Sequence, residues 1–150
     1  MLELRQTRSA VVRCYGEPRA LDAFPSLGAQ TARVAPDELW LISHASGGAD
    51  LATRARSYLA GADPDGLVVD HSEAWSAWTL TGDTRGALAR VTDFPLPESG
   101  FAQGAVAQVP AKLLLENDRV QLVIPIQLSH HIPHRIVEAC ADLGATVVQA

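Results

Sequence analysis

Leu67-Val68-Val69-Asp70-His71-Ser72, running on through Trp78-Thr79-Leu80-Thr81-Gly82, decides the fold when set beside Ala35-Pro36-Asp37-Glu38-Leu39-Trp40-Leu41-Ile42-Ser43. Both are short apolar runs rich in β-branched and aromatic residues and bounded by turn formers, so both read as strands. Between them Leu51, Ala55, Tyr58, Leu59 and Ala62 recur at helical spacing. Ser46-Gly47-Gly48 breaks the first strand and opens that helix, and Gly61 with Asp63-Pro64-Asp65-Gly66 closes it. Leu67 to Asp70 and Ala74 to Leu80 read as one long strand with a bulge expected near His71-Ser72. On it Trp78 and Leu80 share a face with Ala74 and Ser76, and Trp75 points the other way.

Outward from this segment the pattern continues. Asp83 caps a second helix with Ala87, Leu88 and Val91 facing inward. Asp93 to Gly104 reads as a loop carrying Phe94, Leu96 and Phe101. Ala105 to Glu116 and Val120 to Ile126 read as a strand pair turned by Asn117-Asp118. Ser129 is the expected cap of the last helix, whose stripe is Ile132, Ile136, Val137, Cys140 and Leu143, with Gly144 as its stop. Residues 1–30 read as an N-terminal arm and irregular lead-in, and 31–150 as a single domain. Helices on one face of a largely antiparallel sheet make an α+β fold, and a ferredoxin-like split βαβ arrangement is the economical topology.

The apolar share of 47% against 19% charged residues is that of an ordinary globular protein. A formal net charge of −5 argues against a general nucleic-acid role, since phosphate binding wants a basic patch. Of the 12 basic residues all but Lys112 are arginine, a residue suited to interface ion pairs and also a common signature of genome composition. Cys14 and Cys140 match no metal-ligand spacing, and Cys140 falls on the apolar stripe as a small core hydrophobe. No apolar run reaches the ~18 residues of a membrane span and no leader pattern is visible, so the expected location is the cytoplasm.

Several clusters invite a chemical reading. His130 and His134 lie four apart with His131 beside them, a spacing paired zinc ligands use. No glutamate lies between them and no third ligand follows at a recognisable distance, so an exposed helix start is expected and no metal site is assigned. Asp70, His71 and Ser72 are adjacent, yet neighbours on a strand face opposite ways and cannot form a catalytic triad. Ser46-Gly47-Gly48 could hold an anion on backbone N–H groups but lacks a P-loop lysine and the three-glycine dinucleotide pattern, so it reads as ordinary helix entry. Trp75, with Phe94 and Phe101, is the candidate interface anchor.

The order and spacing of these segments over residues 31–144 resemble the folate-binding domain of the glycine-cleavage T-protein superfamily. In that superfamily a strand like Leu39-Trp40-Leu41-Ile42-Ser43 precedes a long helix; a strand with an aspartate follows, then a leucine and a glycine that opens the next helix. Asp70, Leu80 and Gly82 stand at those positions. Across Val69 to Gly82, and across Gly104-Ala105-Val106-Ala107-Gln108-Val109-Pro110-Ala111-Lys112-Leu113-Leu114-Leu115 and the hairpin after it, the chain is more closely similar to sarcosine oxidase gamma subunits. The resemblance implies a T-protein-like α+β fold.

Departures from the pattern shape what else it implies. Folate-binding members carry a glycine-tyrosine-threonine-glycine-glutamate hairpin and a further glutamate whose carboxylate holds the pterin's donor edge. Here the hairpin is Leu115-Glu116-Asn117-Asp118-Arg119-Val120-Gln121, and Gln121 falls where that glutamate is expected. The superfamily's catalytic aspartate belongs to a segment upstream of the first matching strand, expected to be absent here. Asp70, Glu73 and Glu116 remain as the acidic candidates for a stand-alone folate-binding or aminomethyl-transferring protein. The resemblance implies instead a non-catalytic gamma subunit of a heterotetramer, an oxidoreductase that demethylates an N-methyl amino acid. Its alpha, beta and delta-type partner subunits would hold FAD, FMN, NAD and tetrahydrofolate, and this chain would bind no cofactor itself.

Overall fold

The computed structural model describes residues 1–149. The strands are β1 (Leu2–Thr7), β2 (Ala10–Tyr15), β3 (Gln30–Ala35), β4 (Glu38–Ser43), β5 (Leu67–Asp70), β6 (Trp75–Gly82), β7 (Gly100–Val106), β8 (Val109–Leu115), β9 (Arg119–Pro125) and β10 (Ala145–Val148). The helices are α1 (Pro18–Asp22), α2 (Gly48–Ala62), α3 (Thr84–Val91) and α4 (His131–Ala139). The chain divides into two compact units, one of Arg8–Glu73 and one of Met1–Thr7 with the chain from Ala74 onward.

In the Arg8–Glu73 unit a four-stranded sheet has the order β3-β4-β2-β5. Alternation sends Val12 and Cys14 of β2, and Leu39 and Leu41 of β4, to one face. There they pack with Leu51, Ala52, Ala55 and Leu59 of α2. The opposite face carries Val11, Trp40 and Ile42, all buried.

The other unit holds a six-stranded sheet, β10-β1-β6-β9-β8-β7, antiparallel except for the parallel pair β1–β10. Leu2, Leu4, Trp78, Leu80, Leu113, Leu122 and Ile124 line one face. Ala87 and Leu88 of α3, with Ile132 and Ile136 of α4, complete that core. Gly82 turns β6 into α3 at φ +99, and a Cβ there would collide with the carbonyl of Met1 on the neighbouring strand. Only glycine meets both demands.

Several expectations change. Residues 1–30 are not an arm: β1 pairs with β6 and β10, and β2 with β4 and β5. Leu2-Glu3-Leu4-Arg5 does alternate, but the partners that make it a strand lie far along the chain. The segment 31–150 is likewise not one unit, because β5 and β6 belong to different sheets. Asp70 Oδ1 accepts from both the backbone N (3.1 Å) and the Oγ (2.6 Å) of Ser72, and a 3₁₀ turn over Ser72–Ala74 separates the two strands. The run expected as one strand over Ala105–Glu116 is a hairpin, with Ala107 and Gln108 at φ 50 and 64 between β7 and β8. Ser129 does not cap α4; its Oγ instead bonds Ser76 Oγ at 2.7 Å and accepts from Trp78 Nε1 at 3.1 Å.

Candidate functional site

The start of α2 is closed by the chain's own acid. The side-chain oxygens of Asp70 and Ser72 lie against Gly48, where any Cβ would overlap them. Ser72 Oγ donates to Asp70 and accepts from the backbone N of Val11 at 3.0 Å, which fixes the carboxylate beside the first turn. A negative charge is favoured there by the helix dipole. The Ser46-Gly47-Gly48 segment therefore faces an aspartate already in place. His71 turns away from the pair, its Nδ1 3.2 Å from Arg13 Nη1, so the three adjacent residues form no relay.

Arg13 is the hub of the same unit, and it was not singled out by the sequence. Its Nε lies 2.8 Å and its Nη2 2.6 Å from one oxygen of Glu38, which also accepts from Trp40 Nε1 at 2.8 Å. The guanidinium carbon stands 5.3 Å from the Tyr15 ring and 5.2 Å from the Trp40 ring. Register explains the grouping: Arg13 sits opposite Trp40, and Tyr15 opposite Glu38. Burial pushes the Glu38 carboxyl upward, but bonds from Trp40 and Arg13 and the adjacent positive charge outweigh it, leaving it below its usual range. A carboxylate held in this way by its neighbours serves as a brace. The sequence signal available was a lone arginine between buried positions of one strand.

The second unit holds the remaining candidates. Gln121 of β9 is 3% exposed, in register with Thr79 on one side and Leu114 on the other. The position is thus closed to solvent. Glu73 and Glu116 are both exposed. The rings of His130 and His131 stack at 3.9 Å, while His134 is exposed. Desolvation and then the neighbouring charges of His130, Arg135 and His134 lower the pKa of His131. Among the described residues no three His, Cys, Asp or Glu are grouped to hold a metal ion. Burial pushes the Cys14 thiol up to about 12, an inert core group.

The three aromatic interface candidates are not brought together. Trp75 and Phe101 lie half-buried on the sheet face away from α3 and α4. Phe94 instead packs on the helix-side core with its ring over Gly104. A cleft of about 440 Å³ on that side is lined by Arg90, Asp93, Gln108 and Arg135. Both arginines are engaged: Arg90 pairs with Asp142 at 2.6 Å, and Arg135 donates to the carbonyl of Ala107 at 2.7 Å.

No protein-family model matches the chain, and no curated protein matches it either. Solved structures do. A chain of heterotetrameric sarcosine oxidase from Corynebacterium sp. U-96 superposes with a TM-score of 0.75 at 18% identity, covering 98% of this chain and 87% of that one. The glycine cleavage system aminomethyltransferase T from Bartonella henselae gives 0.69 at 13% identity over 98% of this chain and 47% of its own. The chain thus spans about half the length of that transferase. The regulatory subunit of aspartate kinase from Thermus thermophilus follows at 0.51 and 10% identity, over 93% and 97% of the two chains. At these identities what is shared is the fold, which is α+β and T-protein-like.

Proposed function

We propose that this chain is a small, non-catalytic, gamma-type subunit of a cytoplasmic sarcosine-oxidase-like complex. The complex would oxidatively demethylate an N-methyl amino acid and pass the one-carbon unit to tetrahydrofolate. Larger alpha, beta and delta-type subunits would hold the FAD, FMN, NAD and folate. This chain would pack on one of them and stabilise the assembly through buried apolar surface.

The observation that carries the reading is the end-to-end likeness to one chain of a heterotetrameric oxidase, against a likeness to about half of an aminomethyltransferase. The chemistry of the residues supports the same choice. Glu38 is bonded by Arg13 and Trp40, Asp70 is bound to Ser72, and Gln121 supplies no charge. No helix among the described residues is long and apolar enough to cross a membrane.

The test is recovery of the tagged chain from its native cells, followed by an absorbance spectrum and mass spectrometry of the eluate. Flavin bands with three larger chains are the expected result. A colourless, solitary chain would overturn the subunit reading.

A further inference from the structure

We infer that the outer edge of β10 is the docking edge of this chain, and that it receives an extended segment of the larger subunit as an added strand. The inference rests on the subunit reading above. A sheet edge presents a row of backbone N–H and C=O groups that another strand can satisfy, and proteins normally blunt such edges. Four edges exist here, because each of the two sheets has two outermost strands.

Three of them are blunted. β3 shifts register between Arg33 and Ala35 and runs into Pro36. β5 ends in Asp70, and its Val68 carbonyl accepts from Arg56 Nη2 at 3.3 Å. β7 opens on Gly100 and carries Gly104 in its interior, where a glycine weakens a strand. β10 is protected only by its length of four residues. Its sequence, Ala145-Thr146-Val147-Val148, contains no charge, glycine or proline and is mostly β-branched. Among the described residues no strand pairs on its outer side.

Beside this edge lies a groove of about 500 Å³ lined by Pro133, His134, Val137 and Glu138 of α4 and by Val147. Val147 is 45% exposed, one of few large apolar side chains left in water. Strand addition takes affinity from main-chain bonds and selectivity from pockets that accept alternate side chains. The edge and groove together therefore fit an extended segment that sends an apolar side chain between α4 and Val147. Glu138 at the rim favours a lysine or arginine on that segment.

A second copy is the poorer occupant. Two four-residue edges pair over only about 13 Å of strand. A stable dimer needs on the order of 1,200 Å² of buried surface. Each copy would also bring a formal charge of −5. A larger subunit can add the strand as one part of a wider interface.

The test uses tagged full-length chain expressed in its native cells, as wild type, Val147→Lys, Thr146→Lys and Ile126→Lys. Ile126 is 48% exposed and follows β9, which β1 and β6 separate from β10 in the sheet, so it controls for a lysine on an exposed apolar site. Matched urea midpoints establish that each variant folds. Recovery of the flavin-bearing chains is expected to fall at least tenfold for both β10 variants and to hold for Ile126→Lys. Amide exchange in the wild-type complex is expected to slow at residues 145–148. Full recovery with both β10 variants would overturn the docking edge while leaving the subunit reading intact. Failure of the wild type to recover any flavin-bearing chain would overturn the subunit reading, and with it the partner assigned to this edge. A dimer of the isolated chain that Val147→Lys dissociates would assign the edge to a second copy and overturn the proposal.

Discussion

Asp70 occupies the space that a side chain at residue 48 would need, so that Gly48 and the aspartate form one closed junction at the start of α2. The acid cannot swing clear, because Ser72 Oγ donates to it at 2.6 Å and is itself held by the backbone of Val11. Gly48→Ala is therefore expected to destabilise the protein by about 1–3 kcal/mol, as overpacking of a fixed neighbour does. Gly61, in the same helix, has nothing within 4 Å of its absent Cβ. There Gly61→Ala is expected to stabilise by about 0.5–1 kcal/mol. Urea unfolding of the pair should give shifts of opposite sign; shifts of the same sign would remove the steric account.

Arg13 and Glu38 form the most enclosed ion pair, with side chains 23% and 16% exposed. Removing one partner leaves the other charge half-buried, so Arg13→Gln is expected to cost about 2–4 kcal/mol. The pH dependence follows from the lowered pKa of Glu38. A carboxyl that ionises more readily when folded stabilises the protein above its ordinary pKa. That contribution is lost as pH falls through the lower, folded value. Wild-type stability should thus fall off below about pH 4.5, and Glu38→Gln should flatten that fall while lowering stability at pH 7. Equal acid slopes in the two proteins would show that the bond to Arg13 carries no linkage.

What was legible in the sequence divides along a physical line. Leu39–Ile42, the α2 stripe and the β8–β9 turn at Asn117-Asp118 have local signatures; the strand and the turn appear as read, and the stripe does so except that Ala62 is exposed and Ala52 is buried. The Arg13 brace depends on the register of β2 against β4, and β1 on partners at β6 and β10, which no local window contains. The β7–β8 turn was invisible for another reason: Ala107 and Gln108 take left-handed conformations without the Asn or Gly that usually marks them.

That mismatch is itself testable. A two-residue hairpin with both central residues at positive φ prefers Asn-Gly, and alanine and glutamine are strained there by about 1 kcal/mol each. The turn is held from outside, by the amide of Ala107 donating to Val91 at 2.7 Å and its carbonyl accepting from Arg135 at 2.7 Å. Both bonds use backbone atoms of residue 107, so Ala107→Asn with Gln108→Gly keeps them. The double variant is expected to gain about 1 kcal/mol after the added glycine's unfolded-state entropy is set against the relief. Thermal unfolding should show a raised Tm, and no rise would mean the hairpin carries little strain.

Gln121 bears on whether this chain could hold folate itself. Its site is closed to solvent and flanked in register by Thr79 and Leu114, a setting in which burial opposes a charge. Gln121→Glu places a carboxyl in that setting, and burial raises its pKa. A carboxyl whose folded pKa is raised stabilises only below its ordinary range and loses that stability as pH rises. The variant is thus expected to unfold more easily than wild type by about 2 kcal/mol at pH 7. The gap should narrow as the pH is taken down toward 5 and the carboxyl binds its proton. In the same samples tetrahydrofolate should produce no saturable quenching of tryptophan fluorescence in the wild type, because position 121 offers no charge to the pterin edge. Saturable quenching that Gln121→Ala abolishes would make this amide a ligand, and the chain a folate-binding protein in its own right.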